Sequence, residues 1–278
     1  MSFQNPGVTT VSITSVENEE VSSEVDELSI EEPLEIEVSC LIDGRLHRRS
    51  IAVTMRTPGN DVELAAGFLF TEGIIQSEQD LASIEPTVTN VVHATLIPTV
   101  RIDASKFDRQ SFVSSSCGVC GKRSIAAVFA TKRYPIPCGV PQITAAIVHG
   151  LPRTQREAQD NFRRTGGIHA TALFDETGNL LSLYEDVGRH NALDKLIGAE
   201  LLAGRLPLTN RLVLVSGRAS FELIQKASIA GIPILAAVGA PSSLAVSLAR
   251  ETSMTLFGFV RDHRFNVYAD AGRFQEGR

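Results

Sequence analysis

From residue 212 to residue 260 the chain alternates short apolar runs with helical ones, and this pattern restricts its fold more than any other. Leu212–Val215, Ile234–Val238 and Met254–Val260 are almost wholly apolar, while Ser220–Ala230 and Leu244–Glu251 carry helical spacing. Strands apolar on both faces and separated by helices belong to a parallel or mixed sheet covered by helices. The turns Ser216-Gly217-Arg218 and Gly239-Ala240-Pro241-Ser242-Ser243 therefore follow strands and open helices. A helix start offers free N–H groups to an anion, and in an open α/β sheet it lies on the ligand-binding edge. Neither turn is a P-loop or a GxGxxG, and Ser220 and Ser242 would equally serve as ordinary caps.

Upstream the periodicity changes. Leu34–Ile42 and His47–Met55, joined across Asp43-Gly44, read as a β-hairpin. Asn60-Asp61 then opens a helix from Val62 to about Phe70, and residues 85–103 contain two more strands. A short helix is expected at Ser124–Phe129 and a longer one over 142–164, which runs from the apolar Ile143, Ala146 and Ile147 into a charged stretch with Arg153, Arg156, Arg163 and Arg164 and is ended by Gly166-Gly167. Ile168–Phe174 and Leu180–Glu185 form another hairpin, followed by a helix over Asn191–Leu202. The expected fold is α/β with a smaller β-rich N-terminal part. It divides into a tail (1–30), a β-rich subdomain (31–140) and an α/β subdomain (141–278).

Charge is distributed unevenly. Residues 1–40 hold ten of the 32 acidic residues and no Lys or Arg, leaving 22 acids against 26 bases in the whole chain. The first 30 residues are Ser-, Thr-, Val- and Glu-rich and are expected to be disordered. The mildly basic body tolerates a phosphate-bearing ligand. It lacks the basic and aromatic stripe of a nucleic-acid binder. No run of about 18 apolar residues suggests a membrane span, and no secretory leader is apparent. Four cysteines are too few for a disulfide scaffold of this size, so a reducing, cytoplasmic setting is expected.

Two of those cysteines form the richest chemical motif. Cys117 and Cys120 stand in Ser114-Ser115-Ser116-Cys117-Gly118-Val119-Cys120-Gly121-Lys122, followed by Arg123. Small, polar neighbours describe an exposed loop, and a cationic flank lowers a thiol pKa toward the reactive thiolate. A zinc ribbon would need two further ligands, and Cys40 and Cys138 are isolated. A thioredoxin-like site is a poor match. A sulfur carrier needs an accessible thiolate with a second thiol near enough to assist exchange, and the segment fits that best. By spacing alone, a structural role for CxxC remains equally open.

Other candidates sit at strand ends. His169 in Gly166-Gly167-Ile168-His169 and His190 in Glu185-Asp186-Val187-Gly188-Arg189-His190-Asn191 lie beside glycines, where chemistry tends to sit. His190 or Asn191 could instead cap the next helix, and His169 could be a core histidine. Phe259-Val260-Arg261-Asp262-His263-Arg264 reads as a hairpin tip with two arginines and a histidine, suited to phosphates or simply to solvent.

In order along the chain, four blocks resemble one family. They are Arg56–Asp61 leading into Glu63–Leu69, Ser116–Gly121, Gly166–His169 with Glu185–Lys195, and Ser216–Arg218 with Gln225-Lys226-Ala227. The sequence resembles the formate dehydrogenase accessory sulfurtransferases, the FdhD family, from about Leu34 to Tyr268. The resemblance implies a cytoplasmic sulfur carrier, homodimeric and similar in fold to cytidine deaminases. Such a carrier takes sulfur from a cysteine desulfurase as a persulfide. It passes the sulfur to a molybdenum (or tungsten) bis-pterin guanine dinucleotide cofactor destined for formate dehydrogenase. The family's persulfide thiol falls on Cys117, its auxiliary cysteine on Cys120 and its cofactor segment on Phe259, Val260, Arg261, Asp262, His263 and Arg264. Gly217 and Arg218 at the first helix-opening turn are added as cofactor-binding candidates. The deaminase zinc signature is not reproduced, since Ala170 and Thr171 follow His169 and the CxxC precedes it. No metal site is expected. Two rival classes are a zinc or redox enzyme of deaminase-like fold and a cofactor-binding chaperone without chemistry.

Overall fold

The computed structural model describes residues 7–42, 44–100 and 134–275. Cys117, Cys120 and the helix expected at Ser124–Phe129 lie outside the described residues.

A six-stranded sheet carries the fold. Its strands are β8 (His169–Phe174), β9 (Leu180–Asp186), β10 (Leu212–Val215), β11 (Ile234–Ala237), β12 (Thr255–Arg261) and β13 (Arg264–Ala269), in the order β13-β12-β11-β10-β8-β9. β10, β11 and β12 are parallel, and β8, β9 and β13 each run antiparallel to the neighbour before them in the chain or sheet. The sheet is therefore mixed, as the strand and helix alternation implied.

Side-chain alternation divides its two faces. Val213, Val215, Leu235 and Leu256 point into a large core with helices α4 (Arg189–Leu202), α5 (Phe221–Ile229) and α6 (Ser243–Glu251). Leu212, Leu214, Ile234 and Phe257 point the other way, onto Val148 and Leu151 of α2 (Ala145–Ala158). Two-sided burial explains why these strands read as continuous apolar runs.

The N-terminal part is a four-stranded sheet ordered β4-β3-β6-β5, made of β3 (Glu32–Ile42), β4 (Arg45–Arg56), β5 (Leu81–Val88) and β6 (Val91–Leu96). Its inner residues Leu34, Ile36, Val38 and Ala94 join the same core as α4 and α5 through α1 (Asp61–Thr71). α1 crosses α4 backbone to backbone. A Cβ on Gly67 would lie 1.9 Å from the Asp194 carbonyl oxygen, and one on Gly198 would lie 1.8 Å from that of Glu63. A parallel pair, β7 (Ile143–Thr144) with β14 (Phe274–Gln275), ties the C-terminal segment to the start of α2.

Two expectations are corrected. Residues 1–30 are not a disordered tail throughout: β1 (Val8–Glu17) and β2 (Glu20–Ser29) pair as a ten-residue antiparallel hairpin. The β-branched residues among its acids favour strands. Asn18 and Glu19, at φ 46° and 73°, make the two-residue left-handed turn that matches strand twist. The hairpin base is anchored by Arg164 to Glu27 at 2.6 Å and by Ser29 to Thr165 at 2.8 Å. The helix expected over 142–164 is two helices, α2 and α3 (Asp160–Thr165), with Gln159 between them at ψ 91°. Glu185 accepts from the Asn161 and Phe162 N–H groups at 2.9 and 3.0 Å, satisfying the new helix start from a distant strand. Gly166, in left-handed conformation at φ 64°, ends α3.

Candidate functional site: an arginine-lined cleft

The C-terminal ends of β10, β11 and β12 and the N-terminal end of β8 meet at one edge of the central sheet. There the two helix-opening turns are laced together. Val238 donates to Val215 at 3.0 Å, Gly239 to Gly217 at 2.9 Å, Ala219 to Ala240 at 3.1 Å and Phe259 to Gly239 at 3.1 Å. The approach is so close that a Cβ on Gly239 would fall 2.9 Å from the Gly217 oxygen. Glycine is required for contact here, not for backbone flexibility. Ser242 caps α6 by accepting from Ala245 N–H at 3.2 Å. Ser220 does not cap α5 with its side chain; its Oγ lies 3.0 Å from His190 Nε2.

Above this edge lies a cleft of about 1180 Å³, walled by α2 and α3 on one side and by the β12–β13 turn on the other. Four arginines line it: Arg153, Arg156, Arg163 and Arg261. Arg163 pairs with Asp160, whereas Arg153 and Arg156 have no carboxylate in ion-pair range among the described residues. Arg261 donates to the Val238 and Val260 carbonyls, both at 2.8 Å, and its own carbonyl is 3.1 Å from His149 Nδ1. Glu157 and Asp262 are the acids at the rim. An open cleft with this cation excess and adjoining helix starts suits a polyanionic ligand.

His169 forms part of the floor. Its Nδ1 is 3.5 Å from Ser216 Oγ, which accepts from Ala170 N–H at 2.9 Å. Burial, then the Arg189 guanidinium, push the His169 pKa down, against a smaller pull from Asp186. His190 is deeper, with its Nε2 3.2 Å from Glu222. Burial above all, then Arg189, Lys226 and His169, lower it to about 3, outweighing the nearby carboxylate, so its ring is neutral near pH 7.

Of the expected cofactor segment, Val260, Arg261, Asp262 and His263 line the cleft. Phe259 and Arg264 are not among its lining residues, nor are Gly217 and Arg218. Phe259 is exposed, with a left-handed backbone at φ 53°. The α2 and α3 arginines were read from the sequence only as a charged helical stretch. Their position just ahead of Gly166-Gly167-Ile168-His169 was the available signal, because a helix ending there must lean over that strand's start.

Much of the Glu185–Lys195 block is instead a buried clasp between the two sheets. Lys195 Nζ reaches Asp186 at 2.8 Å and the Thr57 carbonyl at 2.9 Å. Asp186 also accepts from the N–H groups of Thr57 at 3.2 Å and Gly188 at 2.8 Å and from Asn191 at 3.1 Å. Asn191 donates to the Met55 carbonyl at 2.7 Å. In a second clasp, Lys226 meets Asp194 and Thr71, each at 2.9 Å. Burial alone would pull the Lys226 ammonium down, but Asp194, Glu72 and Glu222 hold it above its ordinary range. Among the described residues no cluster of His, Cys, Asp and Glu could hold a metal ion, and no helix is long and apolar enough to cross a membrane.

The fold and this edge define an α/β protein with a cationic ligand cleft at its strand ends. Comparison with known proteins gives the family. The FdhD/NarQ family matches residues 30–275. The chain is 50% identical over 263 residues to the sulfur carrier protein FdhD of Streptomyces coelicolor, covering 91% of this chain and 90% of that one. It is 41% identical over 263 residues to the protein of that name from Sulfurisphaera tokodaii, covering 95% and 97%. A crystal structure described as a formate dehydrogenase accessory protein from Desulfotalea psychrophila superposes with a TM-score of 0.74 at 24% identity, covering 97% of this chain and all of that one. The chain belongs to the FdhD/NarQ family.

Proposed function

We propose that this protein is a cytoplasmic sulfur carrier serving formate dehydrogenase. Cys117 takes sulfur from a cysteine desulfurase: its thiolate attacks the donor's outer persulfide sulfur, and the donor thiolate leaves. Cys120, three residues on, assists exchange. The sulfur is then handed to a molybdenum (or tungsten) bis-pterin guanine dinucleotide cofactor, the carrier's cargo, before that cofactor enters formate dehydrogenase. The relatives' shared description as sulfur carriers supports the sulfur chemistry. The observation that carries the cargo assignment is the arginine-lined cleft. A cargo with two pyrophosphates needs several cations and open space together, and Arg153, Arg156, Arg163 and Arg261 supply the cations.

Intact-protein mass spectrometry after incubation with a cysteine desulfurase and cysteine tests the first half. Wild type should gain a reductant-labile sulfur adduct, and Cys117→Ala should not. The absence of an adduct on wild type would leave a cofactor chaperone without chemistry. For the second half, Arg153→Glu with Arg156→Glu should weaken binding of guanosine diphosphate at least about tenfold while the adduct persists. Unchanged nucleotide affinity would remove the cleft from the proposal.

A further inference from the structure

The β1–β2 hairpin precedes the residues matched by the family, 30–275, and the proposed sulfur chemistry makes no use of it. A two-stranded ribbon is marginal in water, so its stability rests on what its base touches. That base is closed by Ile30 N–H donating to the Gly7 carbonyl at 2.9 Å, and β2 packs against α3. The contact is built from several matched groups. Arg164 holds the Glu27 carboxylate by two parallel bonds, Nε to Oε2 at 2.8 Å and Nη2 to Oε1 at 2.6 Å. The Ser29 and Thr165 hydroxyls meet at 2.8 Å, and Thr165 donates to the Asn161 carbonyl at 2.8 Å. Gly7 runs so close to α3 that a Cβ there would fall 2.8 Å from Asn161 Nδ2.

α3 is the least self-sufficient wall of the cleft. It has six residues, fewer than two turns, whereas a helix needs roughly 12 or more to persist alone in water. What packs on it therefore decides where it stands. Its start is fixed by Glu185, which accepts from the Asn161 and Phe162 N–H groups. Helical spacing then divides its two sides. Asn161, Arg164 and Thr165, at i, i+3 and i+4, meet the hairpin base, whereas Phe162, Arg163 and Gly166 line the cleft. Arg163 also donates to the Glu157 carbonyl of α2 at 2.8 Å, joining the two helices across Gln159. The Arg164 and Glu27 side chains are 39% and 36% exposed, so their pair adds little to the stability of the whole fold. Its influence is on the placing of one short helix.

We propose that the N-terminal hairpin is a brace for the cleft. Glu27 and Ser29 are positioning residues. Through Arg164 and Thr165 they hold α3 so that Arg163 stands with Arg153 and Arg156 around one polyanionic ligand. The inference rests on the reading of the cleft as a phosphate-binding site. It adds to that site a segment that touches no ligand and that precedes the part of the chain matched by the family.

Calorimetric titration of guanosine diphosphate into the full chain tests the brace with wild type and three variants. Glu27→Arg sets two cations against each other at the hairpin base and should weaken binding at least about threefold. A change acting through net charge alone would have the opposite sign, because it makes the molecule more positive and the ligand is an anion. Glu27→Arg with Arg164→Glu rebuilds the pair with its signs exchanged and should bring the affinity back to within about twofold of wild type. Glu20→Arg makes the same charge change beside the hairpin turn, away from α3, and should not weaken binding. Amide hydrogen exchange over 160–166 should quicken in Glu27→Arg and recover in the exchanged pair, while the urea midpoint stays close to that of wild type. A wild type that does not bind the nucleotide refutes the cleft reading and the brace with it. A wild type that binds, with Glu27→Arg binding equally well or more tightly, overturns the brace and leaves the cleft standing. An exchanged pair that fails to recover affinity overturns the brace as well.

Discussion

His190 illustrates how burial converts one side chain into a pH dependence. In the unfolded chain its imidazole titrates near 6.5, while the folded protein holds it at about 3. Between these values the unfolded state binds a proton that the folded state does not. The stabilisation is therefore complete above about pH 6.5 and is lost as pH falls toward about 3. The ring is enclosed by Ser220 Oγ and the Glu222 carboxylate, with Arg189, Lys226 and His169 as the cationic influences. Urea midpoints for wild type should fall steadily as pH is lowered from roughly 6.5 to 4.5, and His190→Gln should show a shallower fall. Equal slopes would mean that His190 is not the group responsible. The sequence placed His190 beside glycines at a strand end but left open whether it capped α4. Its partners, Ser220 and Glu222, lie about thirty positions away in the chain, beyond what local spacing can reveal.

Among the elements, the α1–α4 crossing is the most constrained. Neither helix advertises it by periodicity, since glycine inside a helix usually reads as a weak point. Here two glycines let the backbones touch. Gly198→Ala must drive the helices apart and should cost about 3 kcal/mol or more, at the upper end of overpacking penalties. Gly150→Ala is the control: a Cβ there meets nothing within 4 Å, so the change should be neutral or slightly stabilising. Chemical denaturation of the two variants compares them directly, and similar losses would refute the crossing argument. The N-terminal hairpin teaches the converse. Its acid content concealed a strand pattern, because net charge argues for disorder over a segment while β-branched alternation and a left-handed turn act residue by residue. The strands and helices from residue 212 onward were legible for a simple reason. Their apolar runs are buried on both faces, which leaves little room for another reading.

At the scale of the whole molecule, the expected division at residue 140 is bridged by one core and two ionic clasps. Leu34, Leu64, Leu193, Val213 and Leu235 belong to a single apolar cluster, and Lys195 joins the Thr57 carbonyl to Asp186 across it. Thermal unfolding should therefore be one transition, with far-ultraviolet circular dichroism and calorimetry coinciding and the van't Hoff enthalpy matching the calorimetric one. Two resolved transitions would show that the sheets melt independently and that the clasps do not couple them. The segment Glu185–Asn191 suggested chemistry when read as sequence, because it sets His190 beside a glycine at a strand end. Asp186, Asn191 and Lys195 are instead taken up in buried contacts, while arginines on α2 and α3 that no short motif announces line the cleft.

Phe259 sets one further condition on how such a chain can change. Its backbone lies in the left-handed region, where a bulky side chain costs on the order of 1 kcal/mol and glycine costs almost nothing. Phe259 is 40% exposed, so more than half of its surface is buried in return, enough to offset that cost. Replacing it with glycine would relieve the backbone and forfeit that packing, so backbone strain alone does not decide which residue this position holds.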